Sequence, residues 1–218
     1  MAALGAGLGR EGLERRLRLL VLTDADAAAP RNVVDVTRLA LEGGCRAIQL
    51  RHKTGTAREV LELARTLRRL TQSFDALLFV NDRVDIALAV GADGVHLGPG
   101  DLPVSCARHW AGPFLALGFS ADHPDGARQA VAEGADYIGC GAVFGTTTKD
   151  VGTEAIGIQA LNRVARSVPV PVLAIGGVSE ENVELVGGSE AAGAAVVRAV
   201  MGAPDPRDAT RRLLTRLS

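Results

Sequence analysis

Residues 76–98 read ALLFVNDRVDIALAVGADGVHLG, and this stretch contains one full repeat of the pattern that decides the fold. A continuous apolar run, Ala76–Val80, is followed by a polar asparagine–aspartate pair and an amphipathic stretch over Arg83–Val90. Gly91 then stands where a helix would end, and a second apolar run follows it. Continuous apolar runs are typical of parallel strands buried on both faces, and glycine is a common helix stop. The stretch therefore predicts a strand, a helix and another strand.

The same alternation continues along the chain. Eight apolar runs occur, at Leu17–Thr23, Ala47–Leu50, Ala76–Val80, Gly94–Leu97, Leu115–Phe119, Tyr137–Phe144, Val170–Ile175 and Ala194–Val197. Amphipathic stretches separate them, and the junctions EGG, VGAD and EGAD form a weak internal repeat. Eight strand–helix units predict an α/β fold, a single-domain (β/α)8 TIM barrel. A doubly wound open sheet has the same alternation and is the alternative.

The length of 218 residues suits one domain with one sizeable core. We predict a flexible N-terminal extension over residues 1–14, because the segment Met1–Arg10 is rich in Ala and Gly. The barrel catalytic domain is predicted over residues 15–218. The extension lacks the apolar stretch of a signal peptide, and a transit peptide is the alternative interpretation.

Composition excludes several classes of protein. The 24 basic residues nearly balance the 25 acidic ones, and aromatic residues make up only 3%, so we expect no nucleic-acid partner. No apolar run is long enough to cross a membrane. The three cysteines show no metal-binding or redox spacing, which fits a cytoplasmic protein. We expect small-molecule substrates, and the sequence leaves the oligomeric state open, a homo-oligomer included.

Polar residues follow the predicted strands at the end where barrel enzymes have their active sites. After the second run, Gln49, Arg51 and Lys53 alternate, so an extended chain points them in one direction. Two cations and an amide on one face suit a polyanion such as diphosphate. A solvated strand end with incidental charges is the alternative.

Two carboxylates follow neighbouring strands. Asp82 comes after the third run and Asp101 after the fourth. Mg²⁺ takes one or two carboxylates and completes its shell with water and substrate phosphate. Taken singly, Asp82 also fits a helix N-cap and Asp101 a turn residue. Their pairing beside a cationic patch makes a magnesium site the competing interpretation.

Two later segments suit a phosphate group. Thr146-Thr147-Thr148-Lys149 offers hydroxyls, backbone N–H groups and a cation, although a surface loop would look similar. Gly176-Gly177 permits close approach of the backbone to a ligand after the seventh run, where barrels often bind phosphate. His96 belongs to no metal-ligand spacing, and we interpret it as a hydrogen-bonded barrel residue.

Taken together, six motifs resemble the thiamine-phosphate synthase family in order and spacing, from about Leu17 to Leu217. They are Gln49-x-Arg51-x-Lys53, Val80-Asn81-Asp82-Arg83, Gly94-Val95-His96-Leu97-Gly98 with Asp101, Gly118-x-Ser120, Thr146-x-Thr148-Lys149 and Ile175-Gly176-Gly177. The resemblance implies that Mg²⁺ is bound by Asp82 and Asp101. It implies that a pyrimidine diphosphate is held by Gln49, Arg51, Lys53, Asn81, Ser120 and Lys149. It implies that a thiazole phosphate is held by Thr146, Thr147, Thr148, Gly177, Val197 and Arg198.

The resemblance also implies a transferase reaction in which diphosphate leaves the pyrimidine and the thiazole nitrogen takes its place. Arg51, Lys53, Lys149 and Ser120 would then be the catalytic residues. Some positions depart from the family pattern, such as Arg198 where serine is frequent and Gly145 where proline is common. Two alternatives stay open: a thiazole tautomerase of related fold, and a non-catalytic sensor of thiamine intermediates.

Overall fold

A computed structural model describes residues 9–145 and 155–217 of the chain. Eight parallel strands form a closed barrel in which each strand pairs with the next and the first pairs with the last. The barrel fold predicted from the sequence is confirmed, and the open sheet is excluded. The strands are β1 (Leu19–Leu22), β2 (Ala47–Leu50), β3 (Leu77–Asn81), β4 (Gly94–Leu97), β5 (Ala116–Ser120), β6 (Tyr137–Cys140), β7 (Val172–Ile175) and β8 (Gly193–Val196).

Helices alternate with the strands and surround the barrel. Within the described ranges they are α1 (Arg10–Arg16), α2 (Ala25–Ala28), α3 (Val33–Glu42), α4 (Ala57–Ser73), α5 (Val84–Val90), α6 (Val104–Ala111), α7 (Pro124–Ala132), α8 (Gly157–Ser167), α9 (Val183–Gly187), α10 (Arg198–Met201) and α11 (Pro206–Arg216). Helix α4 begins with a capping box, in which the side chains of Thr56 and Glu59 bond each other's backbone N–H groups. None of the helices in the described ranges is both long and apolar enough to span a bilayer.

The alternation of side chains along each strand divides the core into two parts. Outward-facing residues such as Val21, Ile48 and Leu78 pack against the helices. Inward-facing residues such as Leu20 and Phe79 fill the barrel itself. This packed interior leaves the rim at the carboxyl ends of the strands as the place for a site.

Helix α1 contributes to the barrel interior at the opposite end. Leu13 and Leu17 are buried in the same cluster as Leu20, the first inward residue of β1. The boundary predicted between residues 14 and 15 therefore falls inside an ordered helix. The reason is the apolar spacing of Leu13 and Leu17 at i and i+4, which gives the helix a buried face. Residues 1–8 of the predicted extension lie outside the described residues.

The internal repeat in the sequence corresponds to a repeated structural device. In VGAD, Asp93 accepts hydrogen bonds from Arg68 at 2.6 Å and from the backbone N–H of Leu78 at 2.7 Å. In EGAD, Asp136 accepts from Arg108 and from the N–H of Leu117 at the same two distances. Each aspartate thus joins the start of the preceding strand to the helix before it.

The sixth apolar run is shorter as a strand than its sequence suggests. Strand β6 ends at Cys140, whereas the run continues to Phe144. A Cβ atom at Gly141 would overlap the carbonyl oxygen of Ile175, so the backbone passes against β7 at this point. Val143 and Phe144 then donate to the carbonyl oxygens of Ile175 and Gly176. The run leaves the barrel wall and borders the rim.

Candidate active site

A cavity of about 350 Å³ opens at the carboxyl-terminal rim of the barrel. Five residues predicted to bind substrate line it, namely Arg51, Ser120, Gly177, Val197 and Arg198. Ser120 ends β5 and the others follow β2, β7 and β8, so residues distant in sequence meet in one concavity. Other residues that line the cavity were not predicted from the sequence, among them Val178 and Ser179.

Neighbouring residues fix the position of both the backbone and the side chain of Arg51. The hydroxyl of Thr23, at the end of β1, accepts from the N–H of Arg51 at 2.9 Å and donates to its carbonyl oxygen at 3.2 Å. The guanidinium lies 3.6 Å from Oδ2 of Asp24, whose other oxygen caps helix α2 by accepting from Ala27 N–H. No role was predicted from the sequence for Thr23 and Asp24, because they resemble the ordinary end of a strand.

Asp82 and Asp101 come together as the sequence predicts. Their carboxyl groups share a hydrogen bond, and the pKa of Asp82 is raised to about 6. Burial is the largest cause, followed by the hydrogen bond and the negative charge of Asp101. The positive charges of Lys53 and Arg51 act in the opposite direction. A carboxylate pair and a cation pair therefore lie within electrostatic reach of each other.

Backbone geometry and hydrogen bonds fix the positions of both aspartates. Asp82 has a φ of 64°, in the left-handed region that aspartate tolerates better than most residues, and its N–H donates to the carbonyl of His96. Oδ2 of Asp101 accepts from the N–H of Gly98 at 2.6 Å. The loop after β3 is thus bonded to β4, and the loop after β4 is bonded internally through Asp101.

The donor chemistry of this pair fits a hard cation. Mg²⁺ binds oxygen atoms and commonly takes one or two protein carboxylates, with water and phosphate supplying the rest. Over residues 9–145 and 155–217, no cluster of three or more His, Cys, Asp or Glu side chains could hold a metal ion. Two carboxylates that repel each other when ionised still form a pair that a divalent cation would stabilise.

Gly177 brings the backbone close to the cavity. Its φ is 70°, and a Cβ atom there would overlap the carbonyl oxygen of Gly145. The amide of Asn182 donates to the carbonyl of Gly177 at 2.9 Å and its oxygen accepts from Ser179 N–H, which fixes the turn after β7. A glycine is therefore required at this position for two independent reasons.

The other predicted site residues have varied surroundings. Gln49 is 2% exposed and its side chain lies next to Tyr137, and its Oε1 has no hydrogen-bond partner among the residues that the structure describes. Asn81 is the half-buried last residue of β3, and Lys53 is exposed. Thr146, Thr147, Thr148 and Lys149 lie outside the described residues.

The chain matches known proteins over most of its length. A family model described as thiamine monophosphate synthase matches residues 19–200. The chain belongs to the thiamine monophosphate synthase family. The thiamine-phosphate synthase of Pyrococcus furiosus is 46% identical over 201 residues, which cover 92% of this chain and 95% of that protein. That of Pyrococcus abyssi is 47% identical over 203 residues, covering 93% and 95%.

A solved structure of this family has the same architecture. The thiamine phosphate pyrophosphorylase from Pyrococcus furiosus superposes with a TM-score of 0.86 at 44% identity, covering 94% of this chain and 97% of that one. A 3-hexulose-6-phosphate synthase shares only the fold, with a TM-score of 0.69 at 21% identity. The thiamine monophosphate synthase family is therefore distinguished from other barrels by sequence identity as well as by shape.

Proposed function

We propose that this chain is a thiamine-phosphate synthase, which joins 4-amino-2-methyl-5-(diphosphooxymethyl)pyrimidine to a thiazole phosphate and releases diphosphate. The observation that carries the proposal is the electrostatic interaction at the rim between the cations Arg51 and Lys53 and Asp82, which is paired with Asp101. A diphosphate requires cations, and a diphosphate leaving group is commonly neutralised through a divalent metal held by carboxylates.

Substrate binding divides between two sides of the rim. Gln49, Arg51, Lys53, Asn81, Ser120 and Lys149 would hold the pyrimidine diphosphate. The backbone at Gly177 and Val197 and the guanidinium of Arg198 would hold the thiazole phosphate, together with Thr146, Thr147 and Thr148. Support for the second group comes from the lining of the cavity by Gly177, Val197 and Arg198, after β7 and β8, where barrels commonly bind phosphate.

Asp82 and Asp101 would hold Mg²⁺, which would neutralise negative charge on the departing diphosphate. Arg51, Lys53 and Lys149 would stabilise the same charge directly. When diphosphate leaves the methylene carbon, the electron-rich aminopyrimidine carries the positive charge, and the thiazole nitrogen then bonds to that carbon. Exclusion of water from the cavity would prevent capture of the cation by solvent.

The remaining expectations follow from this activity. Residues 15–218 would form the catalytic domain, and a biosynthetic reaction on small phosphorylated substrates fits the cytoplasm. Neither nucleic acid nor a membrane is needed as a partner.

Release of diphosphate tests the function. The purified chain is mixed with both substrates and Mg²⁺, and parallel reactions omit one substrate or contain EDTA. We expect release that requires both substrates and the metal, with formation of thiamine phosphate. Binding of thiamine phosphate without turnover would indicate a sensor, and isomerisation of a thiazole phosphate without diphosphate release would indicate a tautomerase. Either result would overturn the proposal.

A further inference from the structure

A line of four polar side chains crosses the barrel interior near its carboxyl-terminal rim, and three of them are joined by hydrogen bonds. Nε2 of His96 lies 2.9 Å from the hydroxyl of Ser120, and its Nδ1 lies 3.0 Å from the phenol oxygen of Tyr137. The side chain of Gln49 lies next to the phenol. The line therefore runs from β2 through β6 and β4 to β5, and Ser120 at its end lines the cavity.

Two glycines provide the space for the central pair of this line. A Cβ atom at Gly118 would overlap the ring of Tyr137 and Nδ1 of His96. At Gly139 it would lie 3.1 Å from Cε1 of His96, which is tighter than ordinary packing. The two rings lie with centroids 5.5 Å apart. The space at positions 118 of β5 and 139 of β6 is thus occupied by the two rings instead of by side chains at those positions.

The pattern of donors and acceptors sets the position of each proton. Tyr137 is fully buried, and among the described residues the hydrogen bond of its phenol joins it to Nδ1 of His96. A buried O–H group without an acceptor is costly, so the phenol donates its proton to Nδ1. Burial raises the pKa of Tyr137 above its usual value, so the phenol keeps its proton to donate.

The tautomer of the histidine follows from this bond. A neutral imidazole that accepts at Nδ1 carries its proton on Nε2 and donates from there. The oxygen of Ser120 therefore accepts from His96, and its own proton is directed away from the ring. Because Ser120 lines the cavity, the hydroxyl presents a donor to a molecule bound there.

We propose that His96 and Tyr137 are positioning residues that fix the hydroxyl of Ser120 as a hydrogen-bond donor toward the pyrimidine diphosphate. The identity of the substrate in this statement rests on the proposed function. The orientation of the hydroxyl does not, since it follows from contacts within the chain. A hydroxyl that is already oriented does not have to reorganise as negative charge develops on the substrate, so its loss should lower kcat more than it raises KM.

The tautomer is measured first, by NMR of the chain labelled with ¹⁵N in histidine and without any substrate. The signals of His96 are assigned by their absence in His96→Gln, since the chain has four histidines. We expect one neutral tautomer with the proton on Nε2. A proton on Nδ1, or an equal mixture of both tautomers, would overturn the proposal. Because no turnover is involved, this result is independent of whether the chain is a synthase.

A double-mutant cycle then tests whether the pair acts through the serine. Tyr137→Phe removes only the phenol oxygen, and we expect it to lower the single-turnover rate by about tenfold with Ser120 present, with KM for the pyrimidine diphosphate changed less than about twofold. In the Ser120→Ala background, we expect the same substitution to change the rate by less than about twofold. Equal losses in both backgrounds would mean that Tyr137 acts only through packing.

Phe79→Leu is the matched control for the cycle. The Phe79 ring packs edge-on against Tyr137 at a centroid distance of 5.3 Å, so the substitution disturbs the same interior without removing a hydrogen bond. We expect its effects to add to those of Ser120→Ala. Thermal unfolding of each variant confirms that the barrel is intact before the rates are compared. Coupling of Phe79→Leu to Ser120→Ala as strong as that of Tyr137→Phe would contradict the proposal.

Discussion

The carboxyl groups of Asp82 and Asp101 share a hydrogen bond, although each follows a different strand of the barrel. Burial and the neighbouring carboxyl group both disfavour the ionised form, and together they raise the pKa of Asp82 to about 6 from an ordinary 3.8. Since folding raises this pKa, the folded chain binds the proton more tightly than the unfolded chain. The stability from this group is complete below pH 3.8 and is lost as pH rises through about 6.

Asp82→Asn should therefore remove this pH dependence. We compare the free energy of unfolding of the unsubstituted chain with that of the variant in metal-free buffer. We expect the difference, unsubstituted minus variant, to fall as pH rises from about 4 to about 7. Urea unfolding at a series of pH values measures it. Asp85→Asn is the control with the opposite sign, because Arg83 lowers the pKa of Asp85. Parallel stability curves for Asp82→Asn and the unsubstituted chain would contradict the assigned pKa.

The same substitution tests the metal site. Asparagine tolerates the φ of 64° at position 82 but lacks the negative charge. We expect Asp82→Asn to raise the Mg²⁺ concentration for half-maximal rate by at least about tenfold. Asp85→Asn, which removes a carboxylate paired with Arg83, should leave it unchanged. An unaltered metal requirement in Asp82→Asn would rule out Asp82 as a ligand.

Lys149→Ala should lower kcat by roughly 10²-fold, the usual scale for the loss of one group that stabilises charge in the transition state. Steady-state rates of diphosphate release measure this effect. Lys53 and Lys149 are the only lysines in the sequence, so Lys53→Ala is a comparison of the same kind at the other lysine. A rate close to that of the unsubstituted chain would remove Lys149 from the catalytic residues.

Gly177→Ala should weaken the binding of the thiazole phosphate. The added methyl group would meet the carbonyl of Gly145 at a φ of 70°, so the turn must move. We expect a higher KM for this substrate and a loss of about 1–3 kcal/mol in the free energy of unfolding. Gly188→Ala is the control, because its added atom would lie 3.6 Å from the nearest neighbour. Equal effects of the two substitutions would show that Gly177 has no special role.

Arg68→Met should be strongly destabilising. It leaves Asp93, whose side chain is 4% exposed, as a buried carboxylate without its charged partner. We expect a loss of about 3 kcal/mol in the free energy of unfolding. On the same helix, Arg65 pairs with Glu62 at the surface, and Arg65→Met should cost less than about 1 kcal/mol. Denaturant unfolding of both variants checks the difference, and similar losses would mean that burial of the pair has no effect.

The fold could be predicted from the sequence because strands buried on both faces leave continuous apolar runs. The predicted ends of strands and helices were less accurate where contacts between residues distant in sequence decide where an element begins or ends. The apolar run that ends at Phe144 leaves the barrel at Gly141, whose backbone lies against the carbonyl group of Ile175. Helix α9 begins only at Val183, since Asn182 bonds Ser179 and Gly177 in a turn before it.

Part of the candidate site could also be predicted, because residues that follow neighbouring strands meet at one rim of a barrel. Asp82 and Asp101 follow strands adjacent in sequence, and a barrel brings such residues together. Asp24 beside Arg51 was missed because nothing in the sequence marks an aspartate after β1 as the partner of an arginine after β2. The bond between His96 and Tyr137 was missed because Tyr137, the only tyrosine, lies two strands away in an ordinary apolar run.

The pairing of β1 with β8 has a consequence for how the chain folds during synthesis. Leu20 and Val21 bond to β8, which leaves the ribosome after the other seven strands of the barrel. Until then both edges of the growing sheet are open, and contacts between segments so far apart are slow to form. Closure of the barrel is therefore a late and cooperative event, and a chain truncated before Gly193 should be recognised by chaperones instead of folding into a smaller domain.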